Sequence, residues 1–126
     1  MKKLLLLAMA ACIASLVNAQ EMNPADSLYI VTYTTGSLWD NTKQPYEQPF
    51  FKDHSANLSK LRKEGVITAG ARYGDKGIIF IKTKSMLAAR EFVLTDPAVV
   101  NKLFVADIQN VFVFYDGCIE KRKSNK

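Results

Sequence analysis

Four segments of the chain combine β-branched and aromatic residues with the alternation of apolar and polar positions that is typical of strands. The predicted strands span residues 27–34, 66–73, 77–82 and 104–115. Between the second and third strands lies only Gly74-Asp75-Lys76-Gly77, a sequence suited to a tight turn, so these two strands should form a hairpin. The last strand is predicted to be long and, over residues 111–114, apolar on both faces.

Two further segments have the spacing of an amphipathic helix. The first runs from Pro49, which suits an opening helical turn, to about residue 64, with Gly65 as its stop. A second helix is expected over 85–94, and residues 98–103 leave room for one more turn. The apolar face of the first helix is formed by Phe50, His54, Leu58 and Leu61.

The resulting order, β-α-β-β-α-β, predicts an α+β domain with a ferredoxin-like fold. Right-handed crossovers turn this order into a four-stranded antiparallel sheet with both helices on one face. Because the other face of the sheet is left uncovered, we expect a face-to-face homodimer of the dimeric α+β barrel type. Between the first strand and the first helix, residues 35–48 form a long loop that contains Trp39 and Tyr46, and loops of that length in compact domains are usually functional or disordered.

The first 19 residues have the pattern of a secretory signal peptide. Lys2 and Lys3 precede an apolar run of about 14 residues, and small residues lead up to Ala19, after which we expect cleavage. The run is too short for a membrane span, which needs roughly 18 residues or more. The protein is therefore expected in the periplasm or outside the cell. Lipid attachment at Cys12 and a buried N-terminal helix are the alternatives.

Composition narrows the functional classes. The length of 126 residues suits one domain, here residues 20–120, followed by a basic tail at 121–126. The formal net charge is +5, but four basic residues fall in that tail, so the body is nearly neutral and lacks the positive surface that nucleic-acid binding requires. The chain has one His, which excludes a multi-histidine metal site. It has two Cys, and only Cys118 follows the signal segment, so no internal disulfide is expected. We expect no metal and no other cofactor.

The predicted topology brings polar side chains together at one end of the sheet. His54 lies in the first turns of the first helix, Asp75 in the hairpin turn and Asp96 just after the second helix. A histidine with a carboxylate neighbour is the smallest set that can move a proton near neutral pH. Spacing does not decide between the two aspartates, and each residue also has a structural reading, as a core histidine or as a turn aspartate. Trp39, Tyr46 and Arg72 are the candidate ligand-binding residues, although Arg72 could equally pair with a carboxylate.

At these residues the chain resembles the YCII-related (YciI-like) family of small dimeric α+β proteins, over about residues 28–115. The resemblance implies that His54 is an acid/base catalyst, with Asp75 as its first candidate partner and Asp96 as the second. One branch of that family includes a dehydrochlorinase, a reaction that we do not carry over. Many members have Gly-Gly-Pro or Ala-Gly-Pro where this chain has Ala-Gly-Ala-Arg. The residues that carry the resemblance are Gly36-Ser37-Leu38-Trp39, Glu47-Gln48-Pro49, Asp53-His54, Leu58, Leu61, Gly65, Ala69-Gly70-Ala71-Arg72, Asp75, Gly77, Ala89-Arg90-Glu91 and Asp96-Pro97.

Two functional hypotheses follow from the sequence. In the first, the protein is a cofactor-independent lyase or isomerase in which His54 moves a proton on a small organic molecule. In the second, it is a non-catalytic dimer that binds a small apolar or aromatic ligand in the same place. Cofactor-free oxidation is suggested by the fold type alone, and nothing else in the sequence marks a haem cavity at His54.

Overall fold

The computed structural model describes residues 26–121. The predicted signal peptide, the alternative lipid site at Cys12 and all but the first residue of the basic tail lie outside that range. Within residues 26–121, no helix has the length and apolar character needed to cross a bilayer.

The elements follow the predicted order around one antiparallel sheet. The sheet order is β2-β3-β1-β4, and every neighbouring pair is antiparallel. This confirms the α+β prediction and is compatible with the ferredoxin-like fold. A short 3-10 helix, Pro45–Glu47, interrupts the long loop. The elements are β1 (Ser27–Thr35), α1 (Phe51–Lys63), β2 (Ile67–Tyr73), β3 (Lys76–Thr83), α2 (Met86–Leu94), α3 (Pro97–Val100) and β4 (Phe104–Asn110).

The core lies between the sheet and the helices. Alternate residues of β1 (Tyr29, Val31 and Tyr33) are buried, because successive side chains of a strand point to opposite faces. These side chains pack against apolar side chains of the other strands and the helices. Burying each large apolar side chain stabilises the fold by roughly 1.5–3 kcal/mol. The other buried members of this cluster are Leu61, Ile67, Ile79, Ile81, Ala89 and Val93.

The last strand is shorter than predicted. β4 ends at Asn110, which pairs with Tyr29 near the beginning of β1. Only one further backbone bond, from Val111 N to the Leu28 carbonyl at 2.9 Å, continues the contact. The apolar run 111–114 therefore has almost no remaining length of β1 to pair with, and the prediction of a strand to residue 115 is wrong.

The start of α1 also differs from the prediction. Phe50 adopts a left-handed conformation with φ 63° and precedes the helix, so α1 begins at Phe51 rather than at Pro49. Phe50 is 38% exposed and does not belong to the buried face. His54 and Leu61 of the predicted apolar face are buried.

The opposite face of the sheet carries no helix within residues 26–121. Ile30, Ile78 and Phe80 are half-buried there, and the chain after β4 passes beside this face, enclosing a cavity between Phe80 and Ile119. Cys118 in this segment is an exposed free thiol.

Candidate active site

The candidate site lies where β1, β3 and β2 meet the start of α1. The strand register puts Arg72 opposite Gly77, and Gly77 opposite Tyr33. Gly77 lies two residues before the buried Ile79 on β3, so both positions face the helix-covered side of the sheet. Its cross-strand neighbours Arg72 and Tyr33 face the same side. Together with His54 they line a cavity of about 540 Å³.

His54 is held by a buried aspartate. Its Nδ1 lies 3.0 Å from Oδ1 of Asp96, and the two residues are 7% and 1% exposed. Asp96 is positioned by the local sequence, because Pro97 starts α3 and Asp96 caps it, accepting a 2.9 Å bond from the Ala98 amide. Asn57, one turn further along α1, donates to Oδ2 of Asp96 at 2.7 Å. Both carboxylate oxygens are therefore occupied.

The carboxylate of Asp96 is stabilised in its ionised form. Burial alone raises the pKa of Asp96, but the hydrogen bonds from His54 and Asn57, the charge of His54 and the Ala98 amide outweigh it, so the pKa lies below its ordinary value. An ionised carboxylate only accepts hydrogen bonds. Nδ1 of His54 must therefore carry the proton that it shares with Asp96.

The other imidazole nitrogen, Nε2, is directed to the cavity. Within residues 26–121 it has no hydrogen-bond partner, and no buried side-chain nitrogen or oxygen in that range is left unpartnered. Nε2 is therefore accessible, and His54 lines the cavity. In the neutral ring, with Nδ1 as the donor, Nε2 is the basic nitrogen.

Aromatic rings form the wall around the imidazole. Tyr33 meets the ring of His54 edge-on at 5.2 Å between centroids, and Phe104 lies 5.0 Å away. Trp39 is tilted by 36° against Phe104 at 5.7 Å, and Phe51 meets Phe104 edge-on at 6.3 Å. Such a wall suits a flat, apolar body of a ligand.

The loop that carries Trp39 is tied down at both ends. The Gln48 side chain is 4% exposed and is bonded to the backbone of Asp40, accepting at 3.0 Å and donating at 2.6 Å. At the other end, the Gly36 amide donates to the Leu103 carbonyl at 2.7 Å. A side chain at Gly36 would collide with the carbonyl of Lys102, so only glycine permits this close approach. The loop is therefore a fixed part of the cavity.

The structure reverses the expected order of the two aspartates. Asp75 lines the rim of the cavity, but its side chain is 86% exposed and its carboxylate contacts Lys76 at 3.3 Å. The hairpin turn leaves Asp75 exposed at the rim, whereas Asp96, at the start of the short helix α3, is hydrogen-bonded to two residues of α1. Asp96, and not Asp75, is the partner of His54.

Of the three candidate ligand-binding residues, two line the cavity and one does not. Trp39 and Arg72 line the cavity. Tyr46 does not, and it is 75% exposed because it lies on the outer side of the 3-10 helix. Among residues 26–121, the guanidinium of Arg72 makes no salt bridge.

Four side chains of the candidate site, Tyr33, Phe51, Asn57 and Phe104, were missed by the sequence analysis. Tyr33 is buried, and this burial, followed by the nearby charge of Asp96, raises the pKa of its phenol far above the ordinary value. Its hydroxyl has no partner within residues 26–121 and no buried oxygen there is unpartnered, so it reaches the cavity as a neutral donor. The signal for Tyr33 and Phe104 was present in the strand alternation, which puts both on the helix-covered side.

No group of three or more metal-ligating side chains occurs in the described part of the chain. No protein-family model matches the chain, and no curated protein matches it. The geometry of the cavity is therefore the basis for any functional statement.

Proposed function

We propose that this protein is an acid/base enzyme of the lyase or isomerase type that moves a proton on a small organic molecule through Nε2 of His54. The single observation that carries the proposal is the bond from His54 to the buried, ionised Asp96, with the second nitrogen open to a cavity. Asp96 fixes the tautomer and stabilises the imidazolium that forms when Nε2 accepts a proton. Asp96 is a positioning residue, since it touches no part of the cavity.

Proton abstraction next to a carbonyl or in a phenol needs three things that this cavity provides. A base must be within reach of the C–H or O–H bond, and Nε2 supplies it. The developing negative charge must meet a hydrogen-bond donor, and the neutral Tyr33 hydroxyl beside the imidazole supplies one. Water must be limited, and the walls of Trp39, Phe51 and Phe104 are apolar. Proton transfer of this kind uses the side chains themselves and requires no cofactor.

The proposal is tested by proton exchange. The wild type is incubated in D₂O with a panel of enolisable keto acids and polyhydroxylated aromatics, and exchange of C–H for C–D is followed by NMR. We expect exchange by the wild type and a loss of at least about 100-fold in His54→Gln. Asp96→Asn should lose about 10- to 100-fold, the usual effect of removing a group that orients a functional histidine.

Asp53→Asn is the matched control, because Asp53 precedes His54 on α1 but is exposed. It should exchange as the wild type does. Undiminished exchange in His54→Gln, or none by the wild type across the panel, would overturn the enzymatic proposal.

The second candidate is a non-catalytic protein that binds a small aromatic ligand. The observation that favours it is the aromatic wall of Trp39, Phe51 and Phe104, which can hold a flat ligand whether or not a proton moves. In the same panel, binding by the wild type and by His54→Gln without exchange in either supports this candidate.

Our proposal includes membership in the YCII-related family, and the homodimer and export that go with it. The sheet order and the place of His54 in α1 support the family, and the pattern of residues 1–19 supports export. For the dimer, the support is the apolar character of the open sheet face and of the segment after β4, where Phe112, Phe114 and Tyr115 are 86%, 77% and 86% exposed. We assign a second copy of the chain as the cover of this surface.

Sedimentation velocity tests the dimer. The wild type should sediment as a dimer and Phe112→Ser/Phe114→Ser as a monomer, because two large apolar contacts are removed. Leu87→Ser, a change of an exposed leucine on α2, is the control and should leave the dimer intact. A monomeric wild type at micromolar concentration would contradict the proposal.

A further inference from the structure

The floor of the cavity has an unfilled position between a cation and a hydroxyl. Arg72, Gly77 and Tyr33 are neighbours across three adjacent strands, and two strand spacings separate the outer pair by about 10 Å between Cα atoms. The middle residue is glycine, and a side-chain carbon built there meets no atom within 4 Å. The space over Gly77 is thus open to a ligand.

The groups on either side of this space have complementary chemistry. Arg72 lines the cavity and makes no salt bridge within residues 26–121, so its charge is available to a ligand. Arg is the side chain best suited to a planar carboxylate, which it can bind through two parallel bonds. Asp75 also lies at this rim, but Lys76 contacts its carboxylate at 3.3 Å and offsets its repulsion of an anion.

The opposite side supplies a donor and the base. The Tyr33 hydroxyl reaches the cavity as a neutral phenol, and its ring meets His54 at 5.2 Å. A flat ligand whose acid group faces Arg72 therefore has its body over Gly77 and its other end beside Tyr33 and Nε2. Phe104, on β4 and next to the imidazole, lies at that reacting end.

We propose that the ligand of this cavity is a planar aromatic or conjugated carboxylic acid that lies over Gly77, with its carboxylate on Arg72 and its reacting end at Tyr33 and His54. This inference rests on the proposed function for the identity of the reacting end, and it adds the substrate class. It also gives Arg72 a role as the residue that selects acids over their neutral counterparts.

The test uses Trp39, the chain's single tryptophan, as a built-in reporter, because it lines the cavity. Its emission is titrated with benzoate and with benzamide, the neutral counterpart of the same shape, at pH 8 and constant ionic strength. Arg72 is the cation under test, and the His54→Gln variant separates any contribution of the imidazole from that of the arginine. The wild type should bind benzoate at least about tenfold more tightly than benzamide, as a charge-assisted bidentate pair implies.

Three variants assign the effect. Arg72→Gln should remove the preference for benzoate, whereas Arg90→Gln, a change of an exposed arginine on α2, should keep it. His54→Gln should also keep it, because the base does not hold the carboxylate. Equal binding of benzoate and benzamide by the wild type, no binding of either, or an equal loss in Arg90→Gln would overturn the inference.

The two proposals fail in different ways. If the wild type prefers benzoate but exchanges no proton in D₂O, the substrate class holds and the enzymatic proposal fails. If exchange depends on His54 but benzoate has no advantage over benzamide, the enzymatic proposal holds and the assignment of an acid fails.

Discussion

On one side of the cavity, His54 and Asn57 of α1 are hydrogen-bonded to Asp96, which precedes α3. On the other side, the β2–β3 hairpin carries Gly70, Arg72, Asp75 and Gly77. We call these the dyad wall and the hairpin wall. Asp96 is 1% exposed and every polar atom of its carboxylate is bonded, while the Asp75 side chain is 86% exposed. The hairpin wall has two glycines and an unpaired guanidinium among the described residues.

This difference separates the two tasks of a site. The dyad wall fixes one tautomer of one imidazole, and a rigid, satisfied set of bonds suits chemistry that requires one geometry. The hairpin wall supplies open space and a charge, which suit the choice of ligand. Changes to the dyad wall should therefore cost stability, and changes to the hairpin wall should alter binding and leave stability nearly unchanged.

The largest expected effect is on Asp96. Asp96→Ala removes the partner of the His54 ring, the Asn57 amide and the Ala98 amide at once, and we expect a loss of about 3 kcal/mol in the free energy of unfolding. Urea denaturation followed by circular dichroism measures it. Asp75→Ala is the matched change on the hairpin wall and should leave the midpoint unchanged. Equal midpoints for the two variants would show that the walls do not differ.

A smaller effect is expected from filling the hairpin wall. Gly77→Val projects a side chain into the space over the floor and should weaken benzoate binding by about tenfold or more, because the ligand and the new methyl groups compete for one volume. Valine suits a strand, so the free energy of unfolding should change by less than about 1 kcal/mol.

Gly117→Val is the control for this substitution. A side-chain carbon at Gly117 also meets no atom within 4 Å, and Gly117 lies beside the other face of the sheet. It should bind benzoate as the wild type does. Undiminished binding in Gly77→Val would place the ligand elsewhere.

The smallest expected effect is in the acid dependence of stability. The pKa of Asp96 is lowered in the folded protein, so its contribution to stability is fully present above the ordinary aspartate pKa of about 4 and is lost as the pH falls through the lowered value. The stability difference between the wild type and Asp96→Asn should therefore shrink below about pH 4.

Asp75 provides the contrast in the same experiment. Its pKa is also lowered, by the amide of its own backbone and by Lys76, but it is exposed. In about 0.5 M NaCl its contribution should be screened, and Asp75→Asn should follow the wild type. If the difference in free energy of unfolding between the wild type and Asp96→Asn stayed constant as the pH fell below about 4, the account of the dyad wall would be contradicted.

Local patterns in the sequence were enough to predict much of the fold. The 3.6-residue spacing put His54 on the buried face of α1, and handedness rules gave the antiparallel sheet. The end of β4 could not be predicted, because the apolar run 111–114 looks like a strand in isolation and only the register with β1 shows that the partner strand has ended.

The choice of aspartate depended on tertiary structure in the same way. Asp75 and Asp96 both have turn sequences, and only the packing of α3 against α1 brings Asp96 to His54. Tyr33 looked like an ordinary strand residue. Its proposed role depends on Gly77, which has no side chain and lies between Tyr33 and Arg72 across the sheet, and no local pattern reveals that arrangement.

The tautomer of the chain's one histidine tests the central claim most directly. Nitrogen-15 NMR of the selectively labelled imidazole distinguishes the two neutral forms, and a single His leaves no ambiguity of assignment. We expect the proton on Nδ1, with Nε2 unprotonated and shifting when benzoate is added, and we expect this form to lose its dominance in Asp96→Ala. A wild-type ring with its proton on Nε2 would contradict the account, because the cavity would then face a donor and contain no base.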